Sequence, residues 1–553
     1  MGRFTVAEEV MECDVLCVGG GIAGLMAAIR AGERGAKVIV AEKANTLRSG
    51  AGATGNDHFR CYIPEFHGPD FEGIVDEQMQ SQGGGMRPRS FVRTWMAKST
   101  EVVSMWDNWG IPMKHDGQWE FAGHAFPGRP FPTLKYAGQK QKPILTREAS
   151  KRGANIVNRV MVFDLLRDDK GIIGAMGVDV REEKVVIFKA NSVVLGTGNC
   201  VRLYPSTTPG WDFNRSNSPA TTGDGRAMAY RAGAELMNLE FYRRWAGARY
   251  FNRCGKATWI GVIRDAEGKP VGPFVTQPDR RYGDPISDAY HSLFEDYAKA
   301  GNGPVYMDGR GMSEDDLEYM RWGLMNEGNM ALLNHLEEEG IDLRKNPVEF
   351  MTYEMTTFGG VYFNDKAETS VKGLYAAGDE YFGGISGASC FGWIAGDNAA
   401  EYVKETRSPD IEDARAEIEE KKNLLCRLRS RDDGPDWKES NTALEQVMFD
   451  YAGPVKSGNE LEAGLKHLQR LRAKVYHHMI ARNQHELMHS LEVLNLFDLG
   501  ELVFLTALER KESRGNYVRS DYPFTNPILN KKVLLCRKEG EAPVLYWRET
   551  KGH

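Results

Sequence analysis

Four residues near the start of the chain have the types and spacing that bind a dinucleotide. Gly19, Gly21 and Gly24 form a G-x-G-x-x-G turn, and Glu42 ends the next apolar run. The first glycine permits a tight turn, the second lets the backbone approach a pyrophosphate, the third lets a helix pack on a strand, and the acid reaches a ribose hydroxyl. The elements that must position them are an apolar strand beginning near Asp14, a small-residue helix and a second strand. We therefore expect a βαβ unit with phosphates at the helix N-terminus.

Three later segments indicate which dinucleotide is bound. Leu47–Phe59 (LRSGAGATGNDHF) is rich in small residues, which would let a planar ring system lie against the backbone. Ser192–Asn199 (SVVLGTGN) has the pattern of a strand that closes a cofactor sheet. Gly373–Val403 offers a short strand, an acidic residue, a glycine stretch and a helix rich in small residues. Together they favour FAD over NAD.

In this order the segments resemble the flavoprotein superfamily of fumarate reductase, succinate dehydrogenase, L-aspartate oxidase and adenylylsulfate reductase, over nearly the whole chain. The resemblance implies an α/β fold: a Rossmann-like FAD-binding domain with an inserted α+β capping domain, followed by a C-terminal helical domain and an extended tail. The charged, heptad-like sequence after Asp410 also indicates helices, and the tail is suited to docking against a partner. The expected boundaries are 1–233 and 347–406 for the FAD-binding domain, 234–346 for the cap, 407–510 for the helical domain and 511–553 for the tail.

The motif and the resemblance together assign residues to the cofactor. Asp379 corresponds to the family's acid near the FAD ribityl or phosphate region, and a helix entered around Phe391–Ile394 would direct N–H groups at the flavin pyrimidine ring. The predicted cofactor-binding residues are Gly19, Gly21, Ile22, Ala23, Gly24, Glu42, Lys43, Arg48, Ser49, Gly50, Gly55, Asn56, Gly196, Thr197, Gly198, Asp224, Gly378, Asp379, Ser389, Cys390 and Ile394.

The mode of FAD attachment follows from one position in this set. Fumarate reductase subunits of the respiratory complexes link FAD through a histidine after an Arg-Ser pair, and here Arg48 and Ser49 are followed by Gly50. We therefore expect noncovalent FAD. His58 is an alternative attachment point, but it would have to reach the same ring carbon from elsewhere on the loop.

Residues that bind substrate in fumarate reductases are replaced in this chain. The matching positions hold Met355 for a histidine, and Asp288 and Cys390 for two arginines. These replacements remove the side chains that bind the carboxylates of the substrate and the guanidinium that donates a proton to it. Fumarate and succinate are therefore not expected substrates. Two segments are closer to the adenylylsulfate reductase α chain: the Arg-Ser-Gly-Ala sequence and Met105–Met113 (MWDNWGIPM). The substrate arginine of that family could correspond to Arg249. Its active-site histidine is missing, because the matching position again falls near Met355.

Substrate-binding arginines are therefore sought in the cap and its approaches. Arginines alternate with aromatic residues over residues 202–253, a composition that suits planar or anionic ligands. The candidates are Arg243, Arg244 and Arg249. Arg226 and Arg231 are expected on a solvated helix face.

For proton transfer the first candidate is Glu354, followed by Asp288, His291 and Tyr353. A carboxylate near an apolar flavin pocket can have its pKa raised toward neutrality and act as a general acid or base. Cys390 has no base beside it in the sequence, and it is expected to be an inert small side chain against the flavin.

Composition and charge exclude several partners. The 553-residue chain has a net charge of −7, which argues against nucleic-acid binding, and its longest apolar runs are too short to span a bilayer. Eight scattered cysteines without a C-x-x-C pair indicate that the chain carries no iron–sulfur centre of its own. No metal site is predicted. The N-terminus has no leader pattern, so we expect a cytoplasmic protein. We also expect the chain to be part of an oligomer.

The leading hypothesis is an FAD-dependent oxidoreductase subunit that transfers two electrons, as a hydride, to or from a small anionic organic substrate. It would exchange electrons with a ferredoxin-like iron–sulfur subunit. The alternatives are an adenylylsulfate reductase-type activity, or an electron-transfer flavoprotein without an organic substrate.

Overall fold

The computed structural model describes residues 7–81, 87–123, 125–206, 215, 217–249, 259–271, 275–282, 293–381, 383–406 and 409–550. For residues 81, 244–246, 293, 295 and 352–354 it describes the backbone. The described strands are β1 Ala7–Val18, β2 Val38–Glu42, β3 His58–Arg60, β4 Thr133–Lys135, β5 Asn155–Asn158, β6 Val160–Arg167, β7 Ile172–Asp179, β8 Lys184–Leu195, β9 Leu236–Met237, β10 Tyr242–Ala248, β11 Val262–Arg264, β12 Val305–Asp308, β13 Val348–Thr357, β14 Gly360–Val361, β15 Leu374–Ala376, β16 Val455–Lys456, β17 Val518–Arg519, β18 Lys532–Glu539 and β19 Ala542–Glu549.

The described helices are α1 Ile22–Glu33, α2 Pro64–His67, α3 Phe71–Ser81, α4 Arg89–Trp109, α5 Gln141–Lys151, α6 Asp224–Arg231, α7 Leu293–Lys299, α8 Glu314–Asn326, α9 Met330–Glu338, α10 Gly384–Glu405, α11 Arg415–Ser430, α12 Trp437–Ala452, α13 Gly458–His478 and α14 Gln484–Glu509.

The main sheet has the strand order β5-β2-β1-β8-β7-β6, and β15 also pairs with β8. The strands β5, β2, β1, β8 and β15 are parallel, and β7 and β6 extend the sheet as antiparallel strands. Apolar runs such as Val15–Val18 are buried because helices cover the parallel part. Helix α10 packs on α1 so closely that Gly392 and Gly396 lie against the backbone of Ala23 and Ala27. The predicted α/β fold with a Rossmann-like domain is confirmed.

The cap has its own sheet, with the antiparallel order β10-β13-β12-β11, and its own core. Trp259, Met307, Leu324 and Phe350 are buried in that core, together with side chains from α8 and α9. Because β13 pairs with β10 along its length, the cap sheet continues past residue 346, where the sequence placed the boundary. The chain then returns to the main sheet through β15 and α10.

Helices α11 to α14 form the predicted helical domain, whose core is continuous with that of the main sheet. Helix α14 packs against α6, and almost every turn of it carries buried residues. The tail differs from the prediction, because β18 and β19 form a hairpin that pairs with β9 of the same chain. Its apolar residues Val533–Cys536 are buried there, so the hairpin is an internal element and not a free docking segment. No described helix has the length and apolar character needed to cross a membrane.

Candidate active site

A cavity of about 620 Å³ lies at the carboxyl ends of β1, β2, β8 and β15. Val18, Glu42, Gly196 and Ala377, which end or directly follow these strands, all line it. Open α/β sheets bind ligands at this edge, where neighbouring strands connect in opposite directions. The cavity lining includes fourteen of the predicted cofactor residues: Gly19, Gly21, Ile22, Ala23, Glu42, Lys43, Arg48, Ser49, Gly50, Gly196, Thr197, Gly198, Asp224 and Asp379.

The glycine turn after β1 leaves no room for side chains. Gly19 has φ +93°, and a Cβ placed on it would lie 2.6 Å from the carbonyl oxygen of Gly196. A Cβ on Gly24 would overlap the carbonyl oxygen of Gly19, so the third glycine allows α1 to begin directly under the turn. Gly21 caps α1 without a capping side chain, which leaves the first N–H groups of this helix available on the cavity side.

Glu42 has a structural role that the motif did not predict. Its two carboxylate oxygens accept hydrogen bonds from the backbone N–H of Gly20 at 2.7 Å and of Ala44 at 2.8 Å. Glu42 therefore holds the glycine turn in shape while also lining the cavity.

Helix α10 presents a different set of residues to the cavity from the predicted one. The helix begins at Gly384, and Asp379 holds that start by accepting a hydrogen bond from the Gly384 N–H at 3.0 Å. Because only the first turn of a helix has free N–H groups, Phe391–Ile394 cannot direct theirs at a ligand. Gly384, Ile385 and Ala388 line the cavity instead, on one face of the helix.

The predicted residues Ser389, Cys390 and Ile394 lie on other faces of α10. Ser389 donates a hydrogen bond to the Ser386 carbonyl, and Cys390 is fully buried in the hydrophobic core. Burial raises the pKa of the Cys390 thiol, and the side chain packs in the core and is not among the residues that line the cavity. Ile394 is partly buried against the same core.

Four further predicted residues lie behind the cavity wall. Gly24 is under the glycine turn, and Gly378 (φ +70°) packs against Ala388. Gly55 (φ +109°) packs against the backbone of Asn326, and Asn56 Nδ2 donates to the carbonyl of His58.

Lys43 and Asp224 meet at the cavity in a buried charge cluster that extends into the helical domain. Lys43 Nζ lies 2.7 Å from Asp224 Oδ2 and 2.7 Å from Glu492 Oε1 of α14. Glu492 also pairs with the buried Arg202 at 2.9 Å. Although burial opposes the charge, Asp224 and Glu492 raise the pKa of Lys43 above its ordinary value. The helical domain thus fixes one side of the cavity.

Comparisons with known proteins match this geometry. A family model described as an FAD binding domain matches residues 14–391, and one described as fumarate reductase flavoprotein C-term matches 441–550. The chain belongs to the fumarate reductase flavoprotein superfamily. A fumarate reductase (CoM/CoB) chain of Methanothermobacter marburgensis is 26% identical over 96% of this chain and 98% of its own length. L-aspartate oxidase of Vibrio cholerae is 25% identical over 94% of this chain and 97% of its own.

Solved structures show the same fold. Adenylylsulfate reductase of Archaeoglobus fulgidus superposes with a TM-score of 0.84 at 22% identity, covering 99% of this chain and 96% of that one. The E. coli quinol fumarate reductase flavoprotein gives 0.83 at 20% identity, covering 99% and 98%. The family model and the two curated relatives together show that this chain is an FAD-dependent oxidoreductase, and they confirm the predicted family and cofactor.

The residues present fit FAD. Ser49 Oγ is buried in the cavity wall and has no hydrogen-bond partner among the described residues. The uncapped start of α1 provides the N–H groups and the positive dipole end that a pyrophosphate requires. Residues Gly21 to Ala23 would hold the pyrophosphate, and the Arg48–Thr54 loop would lie against the ring system.

The loop that contains Gly50 has no histidine side chain directed at the cavity. Gly50 has φ +75° and lines the cavity. His58 turns away from it, with Nδ1 2.8 Å from Asp57 Oδ1 and 3.3 Å from Glu327 Oε1. His58 is therefore already engaged outside the cavity.

Of the predicted catalytic residues, the structure describes the side chain of Arg249 and the backbone of Glu354. Arg249 lies on the surface, where its Nη1 is 2.7 Å from Glu349 Oε1, away from the residues that line the cavity. Glu354 is in β13 opposite Trp245, and its side chain is outside the described atoms. Asp288 and His291 lie outside the described residues.

Arg87 and Arg60, which the sequence did not single out, interact electrostatically with each other, and Arg87 also interacts with Arg243, a predicted substrate residue. Arg87 is 2% exposed, and its guanidinium carbon is 5.3 Å from the ring centroid of Phe358. Burial, together with the charges of Arg243 and Arg60, holds the pKa of Arg87 well below its ordinary value, although Tyr381 and Asp379 act in the other direction. Asp379 lines the cavity, so the charge of the buried Arg87 is coupled to a residue of the cavity wall.

Arg226 and Arg231 are not on a solvated face. Arg226 is 1% exposed and donates to the carbonyl of Asp379 at 2.5 Å and to Thr357. Arg231 binds Asp164 at 3.1 Å and Asp498 at 3.0 Å. The helix α6 that carries them is covered by α14, which a single helical pattern could not reveal.

The cap meets the main-sheet domain at a second buried charge cluster, which we call the junction: Asp57, His58, Lys135 and Glu327. Lys135 Nζ is 2.7 Å from Asp57 Oδ2, and both side chains are almost fully buried. Burial alone would raise the pKa of Asp57. The positive charge of Lys135 and the hydrogen bond from His58 outweigh burial and hold this pKa well below its ordinary value. Burial and the charge of Asp57 raise the pKa of Glu327 to about 8.

Three of these residues have the types of a metal site, and their ligand atoms lie within 4.8 Å of one another. However, Lys135 pairs with Asp57, and His58 lies between the two carboxylates. The charges are therefore balanced by protein groups, and we describe the junction as an ion-pair network.

Proposed function

We propose that this FAD-dependent oxidoreductase transfers two electrons between bound FAD and a small anionic organic substrate. The observation that carries the proposal is a pair of buried arginines at Asp379 in the cavity wall: Arg226 donates a hydrogen bond to the Asp379 carbonyl, and the charge of Arg87 is coupled to the Asp379 carboxylate. When bound, FAD supplies the two-electron redox chemistry.

Arginine side chains near the cavity wall suit an anionic ligand. A carboxylate or another planar anion can accept two parallel hydrogen bonds from one arginine, which fixes its orientation as well as its position. Arg87 and Arg243 would bind the substrate, and Phe358 and Tyr381 would exclude water from it.

We propose that FAD is held without a covalent bond. This proposal is supported by Gly50 at the attachment position and by the contacts of His58 with Asp57 and Glu327. Acid precipitation of the holoprotein should release all flavin to the supernatant. Flavin in the pellet would overturn the proposal.

We further propose that the electron partner is an iron–sulfur protein. The described cysteines are all free thiols and, apart from Cys426, buried, so they are poorly placed to bind a cluster or relay electrons at the surface. Relatives of similar length are named as subunits of fumarate reductases. Absorbance of iron–sulfur clusters in a co-purifying chain would support this proposal. Full turnover by the isolated chain, with no cluster-bearing protein present, would contradict it and leave the substrate proposal intact.

The anion proposal is tested with malonate and sulfate as probes. Each should shift the visible flavin spectrum of the holoprotein in a saturable way, and Arg87→Met should weaken the binding about tenfold or more. The control is Arg249→Met, which removes a surface arginine and should leave the titration unchanged. A spectrum that responds to neither probe would favour an electron carrier without an organic substrate.

A further inference from the structure

The first turn of α5 touches both loops that form the cofactor cavity. Gln141 Nε2 donates to the carbonyl of Gly52 at 3.0 Å, and its Oε1 accepts from the Tyr136 hydroxyl at 2.6 Å. Lys142 Nζ donates to the carbonyl of Gly20. Both side chains are almost completely buried, Gln141 at 0% and Lys142 at 1% exposure. No motif in the sequence assigned either residue to the cofactor.

The Lys142 contact determines which way a peptide group faces. In a trans peptide the C=O and the next N–H point in opposite directions. Because the Gly20 carbonyl is directed at Lys142, the N–H of Gly21 is directed the other way, toward the cavity that Gly21 lines. That N–H is at the start of α1, where a pyrophosphate binds.

Gly20 is held at both of its backbone polar groups. Its N–H donates to Glu42 at 2.7 Å, and its carbonyl accepts from Lys142. A Cβ at this position would overlap the methyl group of Thr46, so a larger residue here would require Thr46 or the turn to move.

We propose that Lys142 is a positioning residue for FAD, which fixes the Gly20–Gly21 peptide with its N–H toward the pyrophosphate, while Gln141 holds the opposite loop in register. The pair presets both sides of the cavity before the cofactor arrives. The proposal rests on FAD as the cofactor and is independent of the substrate.

Protonation of Lys142 makes this role sensitive to pH. Burial lowers the pKa of Lys142 to about 8, and the carboxylate of Glu42 at the end of β2 partly opposes that shift. A charged ammonium is a stronger donor than a neutral amine and also favours a nearby pyrophosphate. FAD should therefore bind more weakly as the pH rises through this range.

The experiment measures the Kd of FAD for the full-length apoprotein by quenching of flavin fluorescence, between pH 6.5 and 9.5. In the wild type the Kd should rise about tenfold from pH 7 to 9.5. Lys142→Met should raise the Kd at pH 7 by about tenfold or more and flatten the pH profile. The matched control is Lys140→Met, which removes an exposed lysine two residues away and should retain the wild-type profile.

A second readout separates positioning from a loss of folding. ADP contains a pyrophosphate and adenosine does not, so Lys142→Met should weaken the binding of ADP and leave that of adenosine unchanged. Equal losses for both ligands would show a merely structural role. A wild-type FAD Kd independent of pH, or a Lys142→Met variant with the wild-type Kd, would also overturn the proposal.

Discussion

The wall of the FAD cavity is built from main chain and small side chains, whereas the junction between the cap and the main-sheet domain is built from buried charges. At the cavity, Gly19 and Gly24 leave no room for a Cβ. At the junction, Lys135 and Asp57 bury opposite charges against each other. The first region is therefore sensitive to added volume and the second to lost charge. Added volume at the cavity should mainly lower FAD affinity, and lost charge at the junction should mainly lower stability.

The largest effect is expected from Gly24→Val. The added side chain would overlap the Gly19 carbonyl, so the turn that binds the pyrophosphate must move. We expect FAD affinity to fall by about a hundredfold or more, close to ~3 kcal/mol, measured as flavin content and Kd. The control is Gly35→Asn beyond the other end of α1, where φ is +85° and no atom lies within 4 Å of the added Cβ. Retention of FAD by Gly24→Val would contradict the volume argument.

Lys135→Met should damage stability more than cofactor binding. The substitution leaves the buried carboxylate of Asp57 without its closest cation, which costs about 3–5 kcal/mol in the free energy of unfolding. Urea unfolding measures this, with Lys140→Met as the exposed control. Because a neutral amide is less costly to bury than a carboxylate that has lost its lysine partner, Asp57→Asn added to Lys135→Met should recover part of the loss. A double variant no more stable than the single one would exclude this electrostatic cause.

Stability of the junction should also depend on pH through Glu327. The folded-state pKa of Glu327 is raised from 4.5 to about 8, so the folded protein binds this proton more tightly than the unfolded chain does. The resulting stabilisation is complete below pH 4.5 and is lost as the pH rises toward 8. The pKa of Asp57 is lowered, so its contribution changes only in more acidic solution.

In the wild type the free energy of unfolding should fall between about pH 5 and 8.5. Glu327→Gln should make that fall smaller by at least about 1 kcal/mol. The matched control is Glu337→Gln on the exposed face of α9, which should keep the wild-type slope. If the free energy of unfolding of Glu327→Gln has the same pH dependence as the wild type, Glu327 is not the group that takes up this proton.

The smallest effect is expected from Arg249→Met. The Arg249 side chain is 44% exposed and pairs with Glu349, which is 27% exposed. Exposed ion pairs contribute about 0–1 kcal/mol, so both stability and anion binding should change little. A large loss of anion binding would restore the sequence-based assignment of Arg249 to the substrate.

The same contrast explains what the sequence could predict. Gly19, Gly21, Gly24 and Glu42 are close together in the chain, and their roles follow from local spacing. Whether a residue on α10 faces the cavity depends on where the helix begins, and Asp379 fixes that point through a hydrogen bond that no pattern shows. This is why Ile385 and Ala388 were missed.

The junction was outside the reach of a single sequence. Asp57, Lys135 and Glu327 belong to three distant segments, and nothing in each segment specifies the others. Arg87 was missed for a similar reason, because its burial depends on Phe358 and Tyr381, which come much later in the chain. Long-range pairing of charges needs tertiary structure, whereas glycine turns do not.

The return of the chain to the main sheet after the cap affects how the protein is made. During synthesis, residues 374–405 are made long after the first strands and helix. Until then β8 lacks its neighbour β15, and α1 lacks the helix α10 that packs on it. The separate core of the cap can form before that point. The nascent nucleotide-binding half is thus an unfinished sheet with an open edge until that point, and exposed edges of this kind are prone to aggregation. The wall of the FAD cavity is complete only after α10 has emerged, because Gly384, Ile385 and Ala388 are part of it.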